Sequence, residues 1–262
     1  MKSSEVQTQS FYSGLLNKEM KINVYVPEAI IAGQSLPVLY FLHGRNGSSD
    51  FIFETGMHQV ADMLIQAGKI SPLLIVFPQM DNSQGLNSAL EYQEFPDPVD
   101  NRRMIHLGMY EDYFFKEVIG FIESRYNAAP ERSRRYIGGV SAGGYGALHI
   151  AFHHQEFFSK IGGHMPALEL ELDEEDKPYY HSMQFWFDNN PINIAKNNEL
   201  AGLEVYLDCG DRDQGEFYKG CALLHEVLAA KGVKTQNHVF KGEHDLAYIR
   251  SNIEKYLLFY GS

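Results

Sequence analysis

The feature that most constrains this chain is a serine held between two glycines, where an apolar stretch gives way to small residues. Residues 136–140 are predicted to form a short buried strand, and residues 145–152 a helix. Between them lies Gly139-Val140-Ser141-Ala142-Gly143, which fits the pattern G-x-S-x-G of a sharp strand-to-helix turn. Such a turn strains the backbone of its serine, and glycines beside it avoid the clashes that a Cβ would cause. This setting predicts that Ser141 is a nucleophile; a structural glycine-rich turn is the alternative.

Short apolar runs alternate with helical patterns from residue 36 onward. Residues 37–42 and 73–77 are continuous apolar runs, which are typical of strands covered on both faces. Residues 20–26 instead alternate apolar and polar side chains, which predicts an antiparallel strand. Further strands are predicted at 160–163, 203–207 and 235–240, and helices at 58–67, 111–126, 215–231 and 246–260. The alternation predicts an α/β fold with a mainly parallel central sheet and helices on both faces.

No repeat, linker or low-complexity tract divides the chain, so residues 1–262 are predicted to form a single domain. Residues 80–107 are irregular and are expected to form a long surface loop. Residues 166–200 show no strong periodicity and are predicted to be a small cap-like insertion. Their acidic run, 169–176, is typical of a solvated face. The aromatic side chains that follow, Trp186 among them, either line the substrate pocket or pack the interior of the cap.

The formal net charge of −12 argues against binding to nucleic acid or to an anionic membrane surface. Residues 1–12 lack the apolar core of a signal peptide, and no stretch approaches the ~20 apolar residues of a membrane helix. A cytoplasmic protein is expected, although a secreted one whose leader had been removed would look the same. Two cysteines, Cys209 and Cys221, do not make a disulfide framework; they are free thiols or form one bridge. The sequence leaves open whether the chain forms a homo-oligomer.

A serine hydroxyl becomes a good nucleophile only when an imidazole takes its proton, and the imidazole needs a carboxylate to orient it. In this architecture such groups lie in loops beyond the carboxyl ends of strands, in the chain order Ser, Asp or Glu, His. The loop after strand 203–207 offers Asp208, Asp211 and Asp213, and the loop after strand 235–240 offers His244. These residues are the candidate partners of the serine.

Two further histidines, His149 and His153, are four residues apart on the helix that follows the serine, where both could reach one metal ion. The sequence offers no third ligand for them, so we favour an ordinary helix surface and predict neither a metal nor a cofactor.

Four motifs occur together in order: His43-Gly44 after an apolar strand, the serine motif at 139–147, Cys209-Gly210-Asp211-Arg212-Asp213, and Gly242-Glu243-His244-Asp245. The set resembles the putative-esterase family of α/β-hydrolases, which includes feruloyl and acetyl-xylan esterases, S-formylglutathione hydrolases, and tributyrin and siderophore esterases. The likeness runs from about residue 20 to the C-terminus. It implies an α/β-hydrolase fold and ester chemistry, without indicating the substrate.

By this resemblance the carboxylate is Asp213, the base is His244, and the chain is a serine carboxylesterase acting on a small-molecule ester. The oxyanion hole is expected to use the backbone N–H groups of Ala142 and Arg45, with Asn46 as the alternative to Arg45. The Arg45 side chain itself is expected to reach solvent or substrate, and solvation is the commoner case for such arginines. The candidates for the substrate pocket are His43, His164, Tyr145 and Trp186. A siderophore esterase or an acyltransferase would use the same triad, and a non-catalytic binding protein is the remaining alternative.

Overall fold

The computed structural model describes residues 4–28 and 35–262, and its centre is an eight-stranded sheet. The strand order is β1-β2-β4-β3-β7-β8-β9-β10. β1 and β2 run antiparallel at one edge, β2 is antiparallel to β4, and every other neighbouring pair is parallel. The strands are β1 (Glu5–Ser13), β2 (Lys18–Val26), β3 (Val38–Leu42), β4 (Leu74–Pro78), β5 (Gln93–Pro96), β6 (Met104–Leu107), β7 (Arg135–Val140), β8 (Lys160–His164), β9 (Glu204–Gly210) and β10 (Lys234–Phe240). β5 and β6 pair only with each other.

Helices cover both faces of the sheet. The helices are α1 (Phe51–Thr55), α2 (Met57–Gln66), α3 (Tyr110–Asp112), α4 (Ile119–Arg125), α5 (Ala142–His153), α6 (Met183–Asn189), α7 (Pro191–Asn197), α8 (Tyr218–Ala230) and α9 (Leu246–Gly261). A π-helical segment, Tyr113–Val118, joins α3 to α4. Successive residues of a strand face opposite sides of the sheet. A Cβ on Gly138 would overlap Tyr260 of α9, whereas a Cβ on Gly139 would overlap Gly143 of α5, so α9 and α5 lie on opposite faces.

The central parallel strands are apolar throughout because both of their faces are buried. β3 and β4 have five buried residues each, and all six of β7 are buried. No helix among residues 4–28 and 35–262 is long and apolar enough to cross a membrane.

Three segments differ from the sequence-based expectation. β1 was not predicted, because its polar side chains alternate with half-buried ones and its order comes from pairing with β2. The region 80–107 was predicted to be loop but contains the β5–β6 hairpin. β9 continues to Gly210, beyond the predicted end at residue 207, because Gly210 still pairs with Phe240 of β10.

The predicted insertion, 166–200, contains helices α6 and α7. The side chains of Ser182 and Asn190 accept hydrogen bonds from backbone N–H groups in the first turns of α6 and α7, respectively. Such N-caps satisfy donors that have no partner within the helix. α7 packs against both α5 and α8, so this segment is attached to the helix that follows the serine.

Candidate active site

The candidate site lies where three parallel strands end at the same edge of the sheet. Ser141 directly follows β7, Asp213 lies in the loop after β9, and His244 lies between β10 and α9. Because β7, β8, β9 and β10 are consecutive parallel neighbours, their carboxyl ends open into one crevice. The fold therefore brings together three residues that are up to 103 positions apart in sequence.

The turn at Ser141 has the strained backbone that its glycines indicate. Ser141 has φ 53° and ψ −121°, a region that side-chain-bearing residues rarely adopt. Its N–H donates to the His164 carbonyl over 3.1 Å, and its carbonyl accepts the N–H of Tyr145 over 2.9 Å. A Cβ on Gly143 would overlap the carbonyl of His43, so this position needs glycine for the close approach of two backbone segments.

Hydrogen bonds join the serine to the two residues chosen as its partners. The Asp213 carboxylate accepts from His244 Nδ1–H, with Oδ2 2.6 Å from Nδ1. This fixes the tautomer so that Nε2 is free to accept the Ser141 hydroxyl, 2.9 Å away. The chain of bonds is the one by which an imidazole can take a proton from a serine.

The Asp213 carboxylate is fully buried but well supplied with donors. Its Oδ1 accepts the Gly215 N–H over 2.9 Å, and its Oδ2 also accepts the Cys209 thiol over 3.2 Å. Burial opposes ionisation, but the hydrogen bond and charge of His244 outweigh it and lower the pKa of Asp213. The carboxylate thus remains charged and faces the imidazole.

The two other candidate aspartates have different surroundings. Asp211 is exposed, and its Oδ1 accepts the N–H of Gly242 over 3.0 Å, which ties the loop after β9 to the loop carrying His244. Asp208 lies inside β9 with no exposed surface and binds His164 over 2.7 Å. Neither hydrogen bonds to His244 among the described residues.

The residues predicted to supply the oxyanion hole line the same crevice. α5 begins at Ala142, whose N–H belongs to the first turn and has no acceptor within the helix. The Asn46 N–H is already committed, because it donates to the Asn82 side chain over 2.6 Å. The Arg45 N–H donates to no acceptor in the described part of the chain. Of the two alternatives, Arg45 therefore keeps the available donor.

A cavity of about 590 Å³ opens over Ser141 and His244. One side is formed by the turn after β3, residues 44–47, and by apolar side chains such as Phe51 and Phe217. The lining also includes acidic residues of the insertion, namely Glu169, Asp173 and Glu175.

The acidic run was expected to be a solvated face, and that expectation is wrong for part of it. Arg45 Nη1 lies 3.0 Å from Glu175, and its Nη2 binds Asp176, which is only 5% exposed. Arg103 Nη2 also lies 3.0 Å from Glu175. The Arg45 side chain is therefore engaged in ion pairs rather than solvated, and it ties the insertion to the turn after β3.

Two carboxyl groups of the acidic run are hard to ionise, one on the cavity wall and one buried behind it. Burial, reinforced by the charge of Asp176, raises the pKa of Glu169 to about 8. Burial also raises the pKa of Asp176, although Arg45 opposes the shift. A crowded set of carboxylates on the cavity wall disfavours further negative charge there.

The four side chains expected to line the pocket do not line this cavity. His43 is buried behind the turn that follows β3, where Nδ1–H donates to the Gly44 carbonyl and Nε2 accepts the Met80 N–H over 3.0 Å. His164 has no exposed surface and is bound to Asp208. Tyr145 is also buried, since α5 turns it away from the crevice.

Tyr145 donates to the Asn189 carbonyl and accepts from the Tyr180 hydroxyl. Trp186, on α6, is partly buried and packs against the hydrophobic core. The cavity lining contains none of the insertion's aromatic side chains but includes Ala167 and three of its acidic residues.

Two contacts of the site were not predicted from the sequence. Cys209 contacts Asp213 through its thiol, and Asn82 holds the turn at Asn46 from a segment predicted to be loop. Both cysteines are buried free thiols, so no bridge competes for Cys209. The Asn46–Asn82 contact joins segments that are distant in sequence, which motif spacing does not report. Cys209 and Asp213 lie within one motif, but the motif does not show that the thiol donates to the carboxylate.

The sheet order, the turn at the serine and the hydrogen-bonded Ser–His–Asp arrangement define the α/β-hydrolase class of fold. A family model described as "Putative esterase" matches residues 13–260, so the chain belongs to that family. The predicted family, fold and enzyme class, a serine esterase, are thereby confirmed.

Solved structures agree on the fold. A ferulic acid esterase is similar with a TM-score of 0.81 at 23% identity, covering 99% of this chain and 98% of that one. An S-formylglutathione hydrolase from Agrobacterium tumefaciens is similar with a TM-score of 0.79 at 19% identity, covering 99% and 95%. The fluorophosphonate-binding serine hydrolase F of Staphylococcus aureus is similar with a TM-score of 0.78 at 18% identity, covering 100% of both chains.

Proposed function

We propose that this esterase hydrolyses carboxylic esters through an acyl-enzyme on Ser141. The observation that carries the proposal is the unbroken chain of hydrogen bonds from Asp213 through His244 to the serine hydroxyl, at the floor of an open cavity. Serine, imidazole and carboxylate in this order are the groups that acyl transfer needs.

In the first half-reaction, Ser141 Oγ attacks the ester carbonyl while His244 Nε2 takes the hydroxyl proton. The tetrahedral intermediate collapses as His244 returns that proton to the leaving alcohol, and the acyl group remains on the serine. In the second half-reaction, His244 takes a proton from water, which attacks the acyl-enzyme. The second tetrahedral intermediate collapses as His244 returns that proton to Ser141 Oγ, which releases the acid and free Ser141. Asp213 keeps the imidazole oriented and stabilises its charge in both halves.

The N–H groups of Ala142 and Arg45 would stabilise the oxyanion of each intermediate. Preorganised donors of this kind are worth about 3–4 kcal/mol each in acyl transfer. Hydrogen bonding of His43 to Gly44 and Met80 holds the turn that carries Arg45. The donors are thus held in position before substrate arrives.

The charge of the cavity wall also indicates which net charge a substrate should carry. Five acidic side chains line the cavity against two arginines, and four acids still outnumber the arginines when Glu169, with its raised pKa, is protonated. Both arginines are paired with Glu175. We infer that neutral or cationic esters bind better than anionic ones. Among the substrates in the names of similar proteins, a neutral feruloyl ester fits this wall better than S-formylglutathione, which carries two carboxylates and one ammonium group.

The central experiment combines probe labelling with hydrolysis of p-nitrophenyl acetate. A fluorophosphonate should label wild-type protein at Ser141, located by mass spectrometry, and Ser141→Ala should be neither labelled nor active. Product analysis with an added alcohol separates hydrolysis from acyl transfer to that alcohol. Labelling at another residue, with Ser141 unmodified, would exclude the proposed nucleophile.

A second experiment tests the charge preference with methyl ferulate and S-formylglutathione. Asp173→Asn removes one charge of the cavity wall that is paired with neither arginine. It should raise kcat/KM for S-formylglutathione a few-fold, on the scale of one charge pair in a solvated cavity, and leave methyl ferulate unchanged. A wild-type preference for S-formylglutathione would refute the inference while leaving the esterase mechanism intact.

A further inference from the structure

A cluster of three histidines and one glutamate lies away from the serine, between α5 and the α3 turn. His149 Nε2 is 3.1 Å from Glu111 Oε2, and His153 Nδ1 is 3.7 Å from Glu111 Oε1. His154 Nε2 is 2.7 Å from the same Oε1. The sequence offered His149 and His153 as a pair without a third ligand, and Glu111 is the residue that the fold adds.

The protonation of His149 follows from its other ring nitrogen. Nδ1 lies 3.2 Å from the Asn189 carbonyl, which can only accept a hydrogen bond, so Nδ1 carries the hydrogen. In the neutral imidazole Nε2 is then bare, and it faces a carboxylate oxygen in an environment without exposed surface.

His153 repeats this arrangement. Its Nε2 lies 3.3 Å from the Asp188 carbonyl and donates to it, which leaves Nδ1 bare and directed at Glu111. Two imidazole lone pairs and one carboxylate therefore converge. Such a group is repulsive unless something positive lies between its members, and one divalent cation would satisfy all three members together.

We propose that Glu111, His149 and His153 form a binding site for a divalent transition-metal ion of the zinc type. One donor atom from each lies within 4.8 Å of the others. A tetrahedral ion about 2.0 Å from each ligand separates its ligands by roughly 3.3 Å. Each imidazole has one carboxylate oxygen near that spacing, since His149 Nε2 is 3.1 Å from Oε2 and His153 Nδ1 is 3.7 Å from Oε1. Two imidazoles with one carboxylate suit zinc better than the hard cations, which prefer oxygen.

The surroundings resemble those of established metal sites. Metal-binding histidines donate their other N–H to a carbonyl or carboxylate, as both do here to Asp188 and Asn189. His154 donates to Glu111 Oε1, the oxygen that His153 also faces, and orients that carboxylate. The His153 side chain is 28% exposed, which leaves access for the ion and for a water molecule as fourth ligand.

The position of the site indicates a structural role. His149 lies eight residues beyond Ser141, about two helical turns or roughly 12 Å, so the ion would not touch the ester. Its ligands join α5 to α3, and the carbonyls of residues 188–189 bring in the insertion. The ion would therefore fasten the insertion to the helix that follows the serine.

The test is a titration of metal-free, full-length protein with Co²⁺, followed by displacement with Zn²⁺. Wild-type protein should develop the visible absorption of tetrahedral Co²⁺, lose it on adding Zn²⁺, and show a higher Tm with Zn²⁺. His153→Ala removes a partly exposed ligand and should weaken Zn²⁺ binding roughly 100-fold. His181→Ala, an exposed histidine of the insertion outside the cluster, is the matched control and should bind like wild type.

Glu111→Gln provides a second variant, since it keeps the shape but removes the charge and should also abolish the Co²⁺ absorption. If His153→Ala and wild type bind Co²⁺ and Zn²⁺ equally, or if wild type shows no tetrahedral absorption, the proposal is overturned. The imidazoles would then be satisfied by protons. Hydrolysis of p-nitrophenyl acetate serves only to show that His153→Ala remains folded.

Discussion

The molecule contains two histidine–aspartate pairs of nearly the same geometry in different surroundings. In one, His244 Nδ1 lies 2.6 Å from Asp213; in the other, His164 Nδ1 lies 2.7 Å from Asp208. The His244 side chain is 24% exposed and its second nitrogen faces Ser141. His164 has no exposed surface, and its second nitrogen accepts the Tyr260 hydroxyl over 3.1 Å.

The His164–Asp208 pair lies on the strands beside the serine turn, and its backbone hydrogen bonds help to hold that turn. The His164 carbonyl accepts the Ser141 N–H, and the Asp208 carbonyl accepts the Met165 N–H over 2.7 Å. The Asp208 carboxylate also accepts the hydroxyls of Tyr248 and Tyr256, so each of its buried oxygens has a donor. The comparison teaches that a His–Asp pair does not define a function. The third partner and access to the cavity separate the proposed catalytic pair from a structural one.

The largest loss of activity should come from removing Ser141, which bonds to His244 and has no counterpart beside His164. Ser141→Ala should lower kcat for p-nitrophenyl acetate by roughly 10⁴ or more, because no nucleophile then forms the acyl-enzyme. Its Tm should stay near that of wild type. A variant that kept a tenth of the activity would show that His244 serves a different nucleophile.

Removing the carboxylate of the exposed pair should have a similar effect on rate. Asp213→Asn should lower kcat on the order of 10⁴, because the imidazole can then take the wrong tautomer and its charge is no longer stabilised. Steady-state kinetics measure the loss, and thermal unfolding should change little. A nearly silent Asp213→Asn would remove Asp213 from the mechanism while leaving Ser141 and His244 in place.

The same substitution in the buried pair should instead reduce stability. Asp208→Asn leaves three buried donors without a charged acceptor, which should lower the free energy of unfolding by about 3 kcal/mol or more. The folded fraction should keep kcat within tenfold of wild type. Urea unfolding at pH 7 measures the free energy of unfolding. Active-site titration with a fluorophosphonate gives the folded fraction, by which the measured kcat is corrected. A 10⁴-fold loss of kcat in the titrated fraction would make the two pairs functionally equivalent.

The buried tyrosine hydroxyls that donate to Asp208 should make the stability of the protein fall at alkaline pH. Burial and the Asp208 charge raise the pKa of Tyr248 and Tyr256 above the ordinary value of about 10. A raised folded-state pKa stabilises the protein fully below pH 10. Above that pH the stability is lost, by up to about 1.4 kcal/mol per pH unit for each group, as the unfolded phenols ionise.

Unfolding free energies at pH 8 and pH 11 test this point. Tyr248→Phe should be less stable than wild type at pH 8 by roughly 1.5–3 kcal/mol, the scale of a hydrogen bond to a charged group. It should also lose less stability than wild type between the two pH values. An unchanged alkaline loss would show that Tyr248 does not contribute to it.

The smallest effect should come from the aspartate that touches neither histidine. Asp211→Asn should lower kcat tenfold at most, since its role is to accept the Gly242 N–H and hold the loop of His244. The loss should be accompanied by no shift in pH profile. If Asp211→Asn lowered kcat more than Asp213→Asn, Asp211 rather than Asp213 would be the partner of His244.

Much of the architecture was predictable from local pattern. The apolar runs of β3, β4 and β7 and the glycines around Ser141 indicated buried parallel strands and a strand-to-helix turn, as the fold shows. These signals are local, because strand burial and turn strain depend on residues adjacent in sequence. The β1 strand and the β5–β6 hairpin were missed because their order comes from pairing with other segments.

What the sequence by itself determined is therefore the class of fold, the turn at Ser141 and the order of candidate partners along the chain. The residue pattern left Asp208, Asp211 and Asp213 open, and the family resemblance chose Asp213. The tertiary structure gives the physical reason, because the three lie within six residues and differ in where the end of β9 directs them, and Asp213 is the one that bonds to His244. It likewise decided that His164 is buried and that acidic residues, rather than Trp186, face the cavity. Burial and partner choice depend on elements that are distant in sequence and meet only when the sheet is assembled.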